Sequence, residues 1–413
     1  MSSSASPEIK ALSHNRSLLL FWFARLTSIV GGQMMAVAVG WQIYALTNSP
    51  FYLGLVGLVH FLPMFLLTLI VGQTADRYER KKILGVCLFV QGVGVYILAA
   101  GSTGGWLTEE GILIIVFLSG AARAFEHPTG QAFMPLLVSR ELLPRAIAWS
   151  TSFAQCAFIV GPALGGFLYL TGAVTAYTVI GSLFWVAGLF ILSIRSPSSL
   201  SVRDVSGLQS HFAGIAFIRS KPEILGAISL DLVAVLLGGA TALLPIYARE
   251  ILFVGPGGLG ILRSAPGLGA LAMSIYLGRH PLRRKIGRTM FVAVLIFGAA
   301  TVGFAVSTSF ALSLGLLTIL GGADVISVVI RQSLVQMRTP DAMRGRVSAV
   351  NSLFIGTSNQ LGEFESGLTA AWFGVVPAVL IGGLGTIVVT LLWMRLFPAL
   401  LRADTPGEFS SDQ

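Results

Sequence analysis

Twelve apolar stretches of helical length, separated by short polar gaps, constrain this chain more than any other feature. They fall at about 18–45, 51–73, 83–101, 111–138, 147–171, 174–194, 222–247, 256–278, 288–307, 310–333, 347–371 and 377–397, each near the ~20 residues a helix needs to cross a bilayer. In lipid only helices and closed barrels satisfy their own backbone polar groups, and runs of this length are helical. With 54% hydrophobic residues and a mean hydropathy of +0.82, the chain lies outside the range of soluble domains. The expected fold is an all-α membrane protein with twelve transmembrane helices.

An even number of spans puts both termini on one side. The opening MSSSASPEIKALSHNRS is polar, and the apolar run behind it is longer than a signal-peptide core, so it reads as a retained cytoplasmic tail. Of the 27 Lys and Arg residues, twenty-two fall on the terminal side, Arg249 alone falls in the opposite loops, and Arg25, Arg123, Arg263 and Arg331 fall inside spans. Positive residues resist translocation, so the terminal side is expected to be cytoplasmic. The net charge of +9 is then a topology signal with anionic lipid headgroups as partners, and it argues for no nucleic acid. The expected organisation is a tail at 1–17, a six-helix bundle at 18–194, a cytoplasmic linker at 195–221, a second bundle at 222–397 and a tail at 398–413.

Several classes of chemistry find no support. Cys87 and Cys156 both lie in spans with no Cys/His cluster at ligand spacing, so no disulfide framework, metal or cofactor is expected. No glycine-rich phosphate loop follows a strand, and no nucleophile or acid–histidine constellation gathers at one membrane face. The chain reads as neither an enzyme nor a self-contained ATP-driven pump.

The halves repeat. Pro50, Gly54 and Gly72 match Pro256, Gly260 and Gly278 at a separation of 206, while Gly120, Arg145, Phe153, Gly161 and Gly166 match Gly321, Arg346, Phe354, Gly362 and Gly367 at 201. The longer 101–111 loop of the first half absorbs the difference. Six helices followed by six related ones, both sets starting inside, make a parallel repeat about an axis along the membrane normal.

Charge concentrates in GQTADRYERKKIL at 72–84, although only 11% of the chain is charged. With FARLTSIV at 23–30 and TPDAMRGRV at 339–347, this segment resembles the major facilitator superfamily, in particular bacterial exporters of siderophores and macrolides. The resemblance covers nearly the whole chain and implies two pseudo-symmetric six-helix bundles. It also implies that Asp76 and Arg80 belong to a latch, with Asp76 against the start of a helix in the other half, where free N–H groups favour a carboxylate. Glu79 stands where the family has glycine, and the related segment GRHPLRRKIGR has no acid. The element GPALGG at 161–166 resembles the antiporter motif, which points to export; Ala148 and Ala157 replace its upstream glycines. Pro162 interrupts the helix hydrogen bonds, while Gly161, Gly165 and Gly166 admit a close neighbour. In the second half Glu363 stands at the place of Pro162.

A charge inside the membrane costs at least ~2.5–3.5 kcal/mol unless it meets water or a partner, so such residues mark function. Arg25 and Asp231 are related by the 206 offset, Arg123 and Asp324 by the 201 offset. The family places these four helices around a central cavity, to which the first half would offer two positive charges and the second two negative ones. Arg25, Arg123 and Arg263 would suit an anionic substrate group, and Asp231, Asp324 and Glu363 are the candidates for proton coupling. Arg331 is expected to snorkel from the end of its helix. Arg123, Glu126 and His127 can share one face, whereas Glu363 and Glu365, about 200° apart, cannot. The expectation is a monomeric secondary transporter that exports a siderophore-like or drug-like molecule by alternating access and proton antiport. An importer or facilitator on the same fold and a non-transporting sensor remain open.

Overall fold

The computed structural model describes residues 15–195, 215–282 and 284–404, with the backbone alone at 68, 69, 72, 73, 75, 76, 341, 342, 344, 345, 349, 352 and 353. Most of both expected tails, most of the linker at 195–221, and the side chain of Asp76 therefore lie outside the described residues. Among those described there is no strand. The first six long helices are α1 Arg16–Thr47, α2 Pro50–Arg77, α3 Arg80–Gly104, α4 Glu109–Phe133, α5 Leu143–Tyr169 and α6 Ala173–Leu192. The next six are α7 Pro222–Leu237, α8 Gly255–Arg279, α9 Ile286–Val306, α10 Phe310–Arg338, α11 Asp341–Phe373 and α12 Val375–Leu396.

Among the described residues eleven spans are long and apolar enough to cross a membrane, one of them, Pro222–Ile251, made of α7 and the turns that follow it; α11 has the length, at 33 residues, but is too polar to meet the same measure. Several helices overrun their apolar runs. Thus α2 continues through the charged segment to Arg77, which places Asp76 in its last turn, and α10 continues to Arg338. The span expected at 222–247 is interrupted: α7 stops at Leu237, and the chain passes through a 3-10 turn at Ala240–Leu243 and a π turn at Tyr247–Ile251. Gly238 and Gly239 favour the stop, and Pro245 withholds a backbone N–H. Exposed Leu66, Phe167, Leu189 and Leu392 are the lipid-facing counterpart of this composition.

The chain forms two compact units, described residues only. One takes in the chain up to Thr47, Val59–Val205 and Pro256–Ser264; the other takes in Asn48–Leu58, Ser206–Gly255 and the chain from Ala265 onward. In the first, α1 packs on α5 and α6, and α3 packs on α4 and α6. In the second, α7 packs on α11 and α12, and α9 packs on α10 and α12, the same pattern advanced by six helices.

The repeat extends to single contacts. Gly161 faces Val30 O, while Gly362 faces Leu236 O; Gly120 faces His60 O, while Gly321 faces Pro266 O. A Cβ on Gly166 would stand 2.8 Å from Gly260 Cα within the first unit, and one on Gly54 would stand 2.9 Å from Gly367 Cα within the second. Each pair is related to its counterpart by the 201 and 206 offsets. Absent side chains let these helix backbones approach, the packing that lipid favours in place of a hydrophobic drive.

Candidate functional site

In the first unit, polar groups gather around Glu126 on α4. Ser28 on α1 donates to its Oε1 at 2.7 Å, and Gln91 on α3 donates to its Oε2 at 2.8 Å. Both donors are almost fully buried, so the carboxylate ties three helices together through neutral partners. Arg25, one turn before Ser28, lies within electrostatic reach of Glu126. Arg123, one turn before Glu126, lays its guanidinium over Gly32, where a Cβ would come 3.1 Å from Nη1. His127 interacts electrostatically with Arg25, Arg123 and Glu126 together, and His60 on α2 interacts with Arg123. The structure thus brings Arg25 and Arg123 into one cluster. Arg263 is half-buried on α8.

In the second unit, Asp231 on α7 accepts a hydrogen bond from Arg331 Nη1 on α10, and Ser327 Oγ lies 3.5 Å from its other oxygen. Arg331 is 2% exposed and Asp231 4%. The expectation that Arg331 snorkels is therefore wrong. Because α10 runs on to Arg338, Arg331 is two turns from the helix end, with a buried acid opposite. Asp324, Ser327 and Arg331 recur at i, i+3 and i+7 on one face of α10, and Asp324 interacts electrostatically with both Asp231 and Arg331. Asp231 thus holds the guanidinium, while Asp324 lies in the field of both. At the end of the same helix pair, Glu223 forms an ion pair with Arg338.

Glu363 on α11 packs on α2: its Oε2 would be 2.8 Å from a Cβ on Gly57. Glu365 instead accepts from Thr369 of its own helix at 2.8 Å. In GPALGG, Gly161 lies against Gln33, Gly165 against Met34 Cα and Gly166 against α8, while Pro162 is buried. Arg80 Nη1 donates to Ala132 O at 2.8 Å, joining the start of α3 to the end of α4. Lys81 Nζ donates to Ile194 O at 2.7 Å, and Lys82 pairs with Glu79 at 3.1 Å. Ser28, Gln91, Ser327 and Gly57 had escaped sequence reasoning because a search for intramembrane charge passes over neutral residues. Among the described residues no group of three or more His, Cys, Asp and Glu side chains could hold a metal ion.

A family model described as transmembrane secretion effector matches residues 11–406. The chain is 28% identical over 391 residues to the enterobactin exporter EntS of Citrobacter koseri, covering 93% of this chain and 92% of that protein. Against the enterobactin exporter EntS of Escherichia coli the identity is 26% over 397 residues, covering 94% of each. Among solved structures, a variant of the nucleoside transporter NupG superposes with a TM-score of 0.74 at 13% identity, over 92% of this chain and 100% of that one. A bacterial homologue of the lysosomal transporter Spinster, inward-facing and unoccupied, gives 0.72 at 12% identity, over 96% and 97%. These structural likenesses establish the fold: two six-helix bundles related by pseudo-symmetry.

Proposed function

Because the chain belongs to the transmembrane secretion effector family, within the major facilitator superfamily of membrane transporters, we propose that it exports a small organic molecule in exchange for protons. The observation that carries this reading is the imbalance in the second unit, where Arg331 pairs with Asp231, and Asp324 lies within electrostatic reach of both. Asp231 holds the guanidinium, so Asp324 is the acid left for a proton to neutralise and release. The relatives named as enterobactin exporters support a siderophore-like amphiphile as the substrate class, with drug-like molecules next. The positive-inside count supports a cytoplasmic placement of both termini, and the exporter relatives support a bacterial inner membrane. The protein works as a monomer by alternating access. Asp76 and Arg80 bias that two-state equilibrium from the cytoplasmic side without touching the substrate.

Inside-out vesicles test the proposal. An imposed proton gradient drives substrate uptake into them, and substrate addition releases protons measured by a pH-sensitive dye. Asp324→Asn abolishes gradient-driven accumulation while the protein still exchanges substrate across the membrane. Wild-type uphill transport by Asp324→Asn refutes the coupling assignment, and accumulation only in right-side-out vesicles refutes export.

A further inference from the structure

The cluster around Glu126 holds more positive charge than its own acid can compensate. Arg25 lies within electrostatic reach of Glu126 and the Arg123 guanidinium lies over Gly32 of the same helix as Arg25, while both oxygens of the Glu126 carboxylate already accept from Ser28 and Gln91. Among the described residues neither arginine is in an ion pair. Arg25 Nε is buried without a hydrogen-bond partner. Gly32 leaves the space that the Arg123 guanidinium fills. The cluster is contained in one compact unit, and Glu126, tied to α1 and α3, fixes its centre.

We infer that Arg25 and Arg123 form an anion subsite that recognises an oxyanion of the substrate, a carboxylate or phenolate, with the nearby Glu126 carboxylate as the negative charge that competes with that oxyanion. Guanidinium forks match paired oxygens, which gives such a subsite directional preference as well as charge. His127 and Gln131, whose Nε2 atoms lie 3.5 Å apart, border it and offer further polar atoms. Arg331 cannot play this part, since its guanidinium is committed to Asp231. The inference rests on the reading of the chain as a small-molecule transporter but not on proton coupling.

Equilibrium binding to the full-length chain in nanodiscs, with no gradient present, provides the test. The probe is radiolabelled salicylate, which carries a carboxylate beside a phenol; benzylamine, of similar size and opposite charge, is the comparison. Salicylate binds saturably and benzylamine does not compete. Arg25→Gln and Arg123→Gln each weaken salicylate binding about tenfold or more, as expected for loss of a charge-assisted pair, while the surface change Lys82→Gln leaves it unaltered. Glu126→Gln, nearly isosteric, removes the competing negative charge and tightens salicylate severalfold. That gain separates the proposal from simple damage, because a destabilised site does not bind more tightly. Failure of salicylate to bind the wild type, equal competition by benzylamine, wild-type affinity in the double arginine variant, or weaker binding in well-folded Glu126→Gln each overturns it. Absence of proton-driven export by the wild type, with salicylate binding intact, refutes the coupling proposal alone.

Discussion

Arg331 on α10 and Asp231 on α7 are joined inside the second unit with both side chains shut away from solvent. A second ion pair, Glu223 with Arg338, lies eight residues earlier on α7 and seven later on α10. The opposite senses of those steps make the helices antiparallel, and the rungs stand about 10–12 Å apart at 1.5 Å per residue. Two charged rungs on one helix pair resist sliding of α7 past α10, so the pair is expected to move as one body.

The rungs should differ in strength. Arg331→Ala leaves a buried carboxylate without its partner and should cost about 3–5 kcal/mol. Arg338→Ala, whose pair is 17% and 26% exposed, should cost about 1 kcal/mol or less after solvent screening. Thermal unfolding in detergent ranks them, and Arg331→Gln combined with Asp231→Asn should recover much of the loss because no charge is stranded. Equal melting shifts for Arg331→Ala and Arg338→Ala would remove the distinction between the rungs.

The glycine crossings make a prediction with its own control. Alanine at Gly166, Gly260, Gly54 or Gly367 drives a methyl to within about 3 Å of another helix's backbone, which cannot swing aside as a side chain can. Overpacking of this kind should cost about 1–3 kcal/mol and reduce transport. Gly315 has nothing within 4 Å of a Cβ, so Gly315→Ala should be neutral or stabilising by about 0.5–1 kcal/mol through helix propensity. Side-by-side melting curves decide the matter; a drop for Gly315→Ala as large as those at the crossings would discount the close-approach argument.

Much of this architecture was legible because apolar length fixes spans and the 201 and 206 offsets fix which helices correspond. The offsets carry through to contacts as local as Gly161 with Val30 and Gly362 with Leu236. The interruption after Leu237 was also written in the chain, in Gly238, Gly239 and Pro245, but a hydropathy window averages over such signals. The partner of Arg331 was not legible. It stands 100 residues away, and an arginine near the end of an apolar run looks exposed until the helix is seen to continue. The neutral donors to Glu126 were hidden for a related reason, since a buried serine or glutamine has no sequence signature apart from the charge it serves.

Glu363 and Glu365 provide the last separation, because their surroundings differ although they are two residues apart. The Glu363 carboxylate lies over Gly57, where any methyl would meet Oε2 at 2.8 Å and Cβ at 2.9 Å. Glu365 is satisfied by Thr369 one turn along the same helix. Glu363→Gln should therefore slow turnover, and Glu365→Gln should stay near wild type. Gly57→Ala should imitate the Glu363 defect, since its methyl displaces that side chain from α2. The sharper readout is the double change. Glu363→Ala vacates the volume the new methyl needs, so Gly57→Ala should cost little further in that background, and the two should be non-additive by about 0.5–3 kcal/mol, as contacting residues are. Melting temperatures of the four proteins, wild type, both singles and the double, measure that coupling without reference to substrate. Strict additivity would mean that Glu363 does not rest on Gly57, and its effect on turnover would then need another cause.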